Sequence, residues 1–480
     1  MNQLINLFSA SSSSVFLKYD NKTESYKSYL ETSAALAKEY FSDIKKPTVC
    51  IVAKDSRLYF YCFMAVLLCG GRVVPIDNEK TEKDIDELIN IIEPDYIVSD
   101  KTINNREVLS IDADALAWEN DYSECINMLS NIDTESEYLI TFTSGTTQEP
   151  KGVVHSFGNL YSSAKALGAL FSFNHKSVFY HNFPVSYMAG ILNQFIVPMI
   201  FGAQISIGNR FNIQQALRFW KLPVEHSVNV FWMSPTMLRL LLSMDKDGAG
   251  KEYCSQNSVT ILVATAPLPV SLRKEFEIEF GVQLYESYGL TETLFNATNH
   301  PGRAIRDGCV GLIIPGVRPE VAIDEELILS CDWMFIRYFH AAQAHDKAFS
   351  FATGDFALID DDGYLQIVGR KKDLIIRGGM NVSPSRIEAE IDRHWEEGDF
   401  SIIGLPDSVL GEKTTLVYEA CSTLSTETEK SINKQIISRL GKDYSIDGFI
   451  RVDIIPKNKN GKTDKNALRE LVLNDKSAEV

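Results

Sequence analysis

The sequence predicts an α/β protein: a large N-terminal part of layered sheets that includes a barrel-like section, followed by a small α+β unit at the C-terminal end. Three features of the pattern carry this prediction. Short apolar runs alternate with segments of helical spacing from residue 26 to residue 286, the rhythm of β-α-β units around a parallel sheet. Gly, Pro and Asp become frequent after about residue 305, which suits short strands and turns in an antiparallel or barrel-like section. A fresh set of helix and strand patterns then runs from residue 384 to residue 473.

The elements follow in order. Residues 26–41 carry apolar side chains at helical spacing. Residues 48–53 read as a buried strand, 56–68 as a helix closed by Gly70 and Gly71, and 72–76 as the next strand. Residues 138–142 predict a strand and 155–171 a helix. A strand at 228–232 is followed by Ser234 and Pro235, an N-cap and a first-turn proline. Then come a strand at 259–263, a helix at 269–280 with Gly281 as its cap, and a strand at 282–286. In the last part, helices are expected at 384–393, 427–440 and 464–473, with strands at 416–419 and 449–455.

Composition narrows the class. The chain has 480 residues and is 45% hydrophobic and 23% charged, ordinary for a globular protein. At roughly 150 residues per domain, this is about three domains' worth of chain. The net charge of −17 excludes a nucleic acid or an anionic membrane held by bulk electrostatics. An anionic ligand must therefore be met by a few placed cations. No basic segment precedes an apolar one at the N-terminus, and the longest apolar-rich stretch, 59–68, is too short to span a bilayer, so no integral membrane contact is expected. The eight cysteines contain no CxxC pair and read as reduced thiols of a cytoplasmic protein.

The most informative segment is Thr143-Ser144-Gly145-Thr146-Thr147-Gln148-Glu149-Pro150-Lys151-Gly152, placed between a predicted strand and a predicted helix. Small hydroxyl residues leave backbone N–H groups reachable and donate to phosphate oxygens themselves, while Lys151 adds a point charge. A plain Ser/Thr/Gly loop would look similar. The segment is not a Gly-x4-Gly-Lys-Ser/Thr loop, because Pro150 stands at the second glycine and Gly152 at the hydroxyl position.

This loop resembles the signature loop of the adenylate-forming (AMP-binding) superfamily, which includes acyl-CoA synthetases, nonribosomal-peptide adenylation domains and luciferases. Further blocks follow in the family's order from Thr143 to Lys462. Tyr288-Gly289-Leu290-Thr291-Glu292 is similar to the second diagnostic block. The resemblance implies that Thr291 touches the α-phosphate and that Glu292 binds Mg²⁺; taken alone, the pair reads more often as a helix cap than as a metal site. Ala264-Thr265-Ala266 lies where relatives place a small-residue turn against adenine. Thr353-Gly354-Asp355 resembles the ribose block, and an ionised Asp355 can accept from both ribose hydroxyls. Arg370 is implied to contact ribose or phosphate.

The resemblance also implies a hinge. It divides the chain into a large ATP- and acid-binding domain, 1–369, and a small mobile domain, 370–480, pivoting at Lys372. Gly378 and Gly379 match a glycine pair that lines the thiol tunnel in relatives. Lys462 matches the lysine that enters the active site from the small domain. With Thr291 and Glu292 it makes the implied catalytic set, and the ATP/AMP-binding set is Thr143, Ser144, Gly145, Thr146, Thr147, Lys151, Ala264, Thr265, Ala266, Tyr288, Gly289, Asp355 and Arg370.

Two departures stand out. Gln148 replaces the glycine usual in the signature loop. Tyr187 replaces the His that often forms an aromatic gate, and with Met188 and Gly190 it is expected to line the acyl pocket. Amino-acid-activating relatives carry an Asp in this block, and no carboxylate occurs from His181 to Gln194. The expected function is ATP-dependent activation of a small carboxylic acid to an acyl-adenylate, with pyrophosphate release and transfer to CoA. The alternative acceptor is the phosphopantetheine of an acyl carrier protein; a third reading is a catalytically degenerate nucleotide-binding protein. Mg²⁺ is the implied cofactor, ATP and CoA the co-substrates, and a monomer or homodimer the expected assembly.

Overall fold

The computed structural model describes residues 2–104, 106–116, 121–143, 150–341, 349–395, 398–419, 423–457 and 463–477. Three sheets organise them. The first has the order Arg337–Tyr338, Lys151–Ser156, Glu137–Thr143, Arg72–Pro75, Thr48–Val52, Tyr96–Ser99. Its last three strands are parallel and largely apolar inside, with Thr48 and Ser99 the buried polar residues, as suits a sheet covered on both faces.

The second sheet is long. Its parallel half runs through Leu284–Leu290, Thr260–Val263, Val230–Met233, Val178–His181, Gln204–Ile207 and Val15–Tyr19. Its other half is antiparallel and takes in Leu294–Thr298, Gly311–Ile313, Tyr364–Arg370, Phe351–Ile359, Glu326–Cys331 and Val317–Val321. The antiparallel section expected after residue 305 is thus continuous with the parallel strands. Leu284–Leu290 belongs to both halves. Its first residues pair in parallel with Ile261–Val263, its last ones in antiparallel with Leu294–Thr298, and the register shifts between Tyr288 and Gly289.

A large apolar core fills the space between these layers, and a smaller one, with Val52, Val74, Ile89 and Ile140, lies on the other face of the first sheet. Phe60, from helix Ser56–Leu68, stacks on Phe195 at 4.3 Å, and Trp232 stacks on Phe295 at 5.7 Å. Several predicted caps are present: Ser234 Oγ accepts from Met237 N–H at 3.2 Å, and Gly281 closes helix Val270–Phe280 at φ 65°.

One predicted element is displaced. The helix expected at 155–171 begins at Phe157, and the preceding Lys151–Ser156 is a strand. The β-branched pair Val153-Val154 pairs on both sides, with Thr141 and Ile140 and with Tyr338 and Arg337, while Ser156 caps the helix through Asn159 N–H. The phosphate-type loop therefore joins two antiparallel strands, with Thr143 paired to Lys151 at its base.

The third sheet comprises Met380–Val382, Ile375–Arg377, Gly411–Glu419 and Phe400–Asp407, with Gly448–Val452 parallel to Gly411–Glu419. Its two faces alternate residue by residue. Ile402, Leu416 and Tyr418 face helices Pro384–Ile391 and Thr426–Leu440, whereas Ile403, Leu405 and Val417 face helix Lys465–Ser477. This sheet has its own cores, separate from that of the large part. Between the two, residues Lys371–Asp373 form a single 3₁₀ turn after the last strand of the long sheet. Further contacts cross the boundary, among them Ser383 Oγ to Val368 O at 2.8 Å, Ser271 Oγ to Asp392 Oδ1 at 2.8 Å, Arg239 to Asp399 at 2.6 Å and Arg386 to Glu325. Among the described residues, every cysteine is a free thiol, and no helix is long and apolar enough to cross a membrane.

Candidate active site

Asp355 sits in the antiparallel half of the long sheet, directly opposite Arg370 on the neighbouring strand. Its side chain is 1% exposed, a costly place for a carboxylate unless it is paired. Tyr288 donates its hydroxyl to Oδ2 at 2.7 Å, and Arg370 Nε lies 2.6 Å from Oδ1 as an ion pair set off the hydrogen-bond axis. Burial, then the neighbouring Asp355, drives the Tyr288 phenol well above its ordinary range, so it remains a donor. Thr353 Oγ1 accepts from Asp355 N–H at 3.0 Å, and Gly354 takes φ 71° within the strand, where its pairing with Glu326–Cys331 shifts register. Three blocks separated in sequence therefore meet at one carboxylate, and one of them, Tyr288, comes from the strand that carries the parallel-to-antiparallel reversal.

The small-residue turn is built with strain. Ala264 N–H donates to Met233 O at 3.1 Å, and Thr265 then adopts φ 77°, a left-handed conformation rare for a β-branched residue. Glu286 lies under this turn and accepts from Leu268 N–H at 3.3 Å. Burial pushes its carboxyl up to about 8, against the opposing effects of that N–H and of Arg273.

Thr291 and Glu292 follow the reversed strand. The Thr291 carbonyl is 2.7 Å from His155 Nε2, and the Glu292 carboxylate accepts from Tyr338 O–H at 3.1 Å. Phe335 N–H donates to Glu292 O at 3.0 Å. Burial raises the Glu292 carboxyl, while the Tyr338 hydroxyl and the charges of Lys151 and Arg370 pull it back down. Lys151 Nζ stands 5.8 Å from the centre of the Tyr338 ring. Sequence reasoning missed both His155 and Tyr338.

The acyl-side residues lie at the end of parallel strand Val178–His181. Tyr187 and Met188 are half-buried and Gly190 is buried. A Cβ on Gly190 would stand 2.1 Å from Pro184 O, so the bend there requires glycine. The next turns, Ala189–Ile196, form a π-helix, a feature concentrated at functional sites. Gln194 holds the loop by accepting from Asn182 and Phe183 N–H at 3.0 and 2.9 Å. Burial raises the Tyr187 phenol and the Arg370 charge acts against it, so the acyl segment lies within electrostatic reach of the nucleotide-side cations.

Lys372 is exposed on the 3₁₀ turn, and Gly378 and Gly379 form the exposed turn between Ile375–Arg377 and Met380–Val382 at φ 57° and 83°. Ser144, Gly145, Thr146, Thr147, Gln148 and Lys462 lie outside the described residues, as does the Thr143 side chain. Within the described set, Lys151, Tyr288, Glu292, Asp355 and Arg370 converge, with Tyr187 at their margin.

The family model described as AMP-binding enzyme matches residues 9–329. A malonate–CoA ligase of Arabidopsis thaliana is 25% identical over 91% of this chain and 80% of its own length. A 2-succinylbenzoate–CoA ligase of Listeria monocytogenes is 27% identical over 95% of this chain and 96% of its own. The ATP-bound crystal structure of MatB from Rhodopseudomonas palustris superposes with a TM-score of 0.81 at 23% identity, covering 98% of both chains, and shares the fold.

Proposed function

The chain belongs to the AMP-binding enzyme family, and on that basis we propose how its residues activate a carboxylic acid and pass it to CoA. It is an acid–thiol ligase. The observation that carries the residue-level reading is the convergence of Tyr288 and Arg370 on buried Asp355, beside Thr291 and Glu292.

Asp355 accepts the ribose hydroxyls: an ionised carboxylate offers about four lone-pair sites, and two neighbours leave room for two more donors. The flat turn Ala264–Ala266 receives the base. Lys151 and the hydroxyl loop hold the terminal phosphates, and Thr291 binds the α-phosphate. A carboxylate oxygen of the acid attacks the α-phosphorus, and the bond to pyrophosphate breaks. Two anions meet in this step, so its rate depends on positioning and on placed positive charge. Arg370 and Lys462 supply that charge, and no side chain acts as nucleophile.

The residues fit Mg²⁺. The Glu292 carboxylate, held at one oxygen by the Tyr338 hydroxyl, would offer its other oxygen to a hard cation that arrives on phosphate oxygens. When bound, it offsets phosphate charge.

In the second step the thiol attacks the acyl carbon, loses its proton, and AMP leaves. Lys462 and a thiol arm cannot occupy one site together. The small domain, residues 370–480, therefore turns about Lys372, and Gly378 and Gly379 then line the thiol's path. This is a domain-closure hinge. The acyl segment from His181 to Gln194 has no carboxylate to bind an α-amine, and its Tyr, Phe and Met suit an apolar or aryl acid.

The test is ATP–pyrophosphate exchange across short, branched, aryl and hydroxy acids, followed by product mass with CoA and with a holo carrier protein. At least one acid should support exchange, Lys462→Ala should lose it by several orders of magnitude, and acyl-CoA should form. Exchange that never exceeds the Lys462→Ala control would refute the proposal, and acylation of the carrier alone would refute CoA as acceptor.

A further inference from the structure

We propose that His155 and Tyr338 are positioning residues that clamp Thr291–Glu292 onto the same strand pair that carries Lys151. The inference rests on the reading of Thr291 and Glu292 given above and extends it to two residues outside every recognised motif.

The strand pair is rigid by construction. Lys151–Ser156 pairs in antiparallel with Arg337–Tyr338, with Val153 opposite Tyr338 and Val154 opposite Arg337. Ile336 N–H donates to Val154 O and Phe339 N–H to Gly152 O, both at 2.8 Å. Arg337 then locks the short strand to the sheet through a two-point contact with Glu137, Nε to Oε1 at 2.6 Å and Nη2 to Oε2 at 3.0 Å. Side chains alternate along a strand, so Lys151, Val153 and His155 share one face, and Tyr338, directly opposite Val153, shares it too. That face is turned toward Thr291 and Glu292.

The contacts are directional. A carbonyl oxygen only accepts, so His155 Nε2 must carry the proton it gives to Thr291 O. The ring is fully buried, and Nδ1 has no hydrogen-bond partner among the described residues, which fixes the neutral Nε2–H tautomer. Tyr338 donates to one carboxylate oxygen of Glu292, which sets the plane of that carboxylate. Lys151 and His155 are four residues apart on an extended strand, roughly 13 Å. One strand therefore spans from the cation facing the terminal phosphates to the backbone of the α-phosphate residue. The clamp keeps the metal-facing carboxylate and that lysine in fixed register, so the site is assembled before nucleotide arrives.

The test separates positioning from general damage. Tyr338→Phe deletes one hydroxyl, His155→Leu deletes the donor, and His155→Gln retains one. For each variant, calorimetry gives ATP affinity with Mg²⁺ and AMP affinity without metal, pyrophosphate exchange gives kcat and KM, and a melting curve reports folding. Tyr338→Phe and His155→Leu should weaken Mg²⁺–ATP binding and lower exchange kcat by roughly ten- to a hundredfold, the loss of one charge-assisted or buried hydrogen bond. AMP affinity should fall less than Mg²⁺–ATP affinity, because AMP carries the α-phosphate held by Thr291 but no metal, KM for the acid should stay within about twofold, and His155→Gln should recover most of the loss. Unchanged Mg²⁺–ATP affinity and kcat would overturn the clamp, as would an equal fall in AMP affinity. The underlying reading fails in a different way: wild-type ATP affinity would then be indifferent to Mg²⁺.

Discussion

His181 offers the most quantitative prediction. It ends the parallel strand that leads into the acyl segment, is 1% exposed, and has the edge of Phe60 against it at 5.0 Å. Neither ring nitrogen has a hydrogen-bond partner among the described residues, although backbone groups of Gly190 and of His181 itself approach the ring. Burial pushes its pKa down from 6.5 to about 4, only partly offset by those backbone groups. The unfolded chain thus binds a proton below pH 6.5 that the folded chain refuses until about pH 4. Stability is therefore intact above 6.5 and declines as the pH falls toward 4. At 1.36 kcal/mol per tenfold in proton affinity, lowering the pH from 7 to 5 costs about 2 kcal/mol through this one ring. His155, also pushed down to about 4 by burial, adds a term of the same sign. Glu286, pushed up to about 8 by burial, acts oppositely, because the folded state holds its proton and gains stability as the pH falls. The wild-type profile alone is therefore a partial cancellation, and the difference between wild type and His181→Phe isolates the ring. Urea unfolding followed by fluorescence at pH 7, 6 and 5 should show the variant losing about 2 kcal/mol less than wild type over that range. Parallel curves would refute the reasoning, since His181 would then titrate alike in both states.

Two further predictions bear on the site. Asp355→Asn keeps the shape but removes the charge that accepts from Tyr288 and from ribose; AMP affinity by calorimetry should fall by about a hundredfold, on the order of 3 kcal/mol. Gly190→Ala puts a Cβ 2.1 Å from Pro184 O, so the acyl segment must shift. In pyrophosphate exchange, KM for the acid should rise at least about tenfold while AMP affinity is unchanged.

Much of the site is legible in the sequence because its blocks are local. Tyr288 through Glu292 and Thr353 through Asp355 each lie within a few residues, so their resemblance to the family's blocks, and the nucleotide it implies, can be read along the chain. His155 and Tyr338 left no such signal. Their partners are 136 and 46 residues away, and a lone His or Tyr beside apolar residues reads as core. The displaced start of the helix at Phe157 has a similar cause. Apolar spacing from His155 onward fits a helix, and only pairing on both sides of Val153-Val154 makes that stretch a strand.

By itself, the sequence determined the order of many of the elements and the short blocks that resemble those of adenylate-forming proteins. These follow from periodicity and local chemistry, which neighbours along the chain carry. The tertiary structure alone decided that one strand, Leu284–Leu290, serves both halves of the long sheet, that Asp355 meets Tyr288 and Arg370, and that Lys151, His155 and Tyr338 share a face. Those facts depend on strand register, which is set by long-range pairing and by which face is buried.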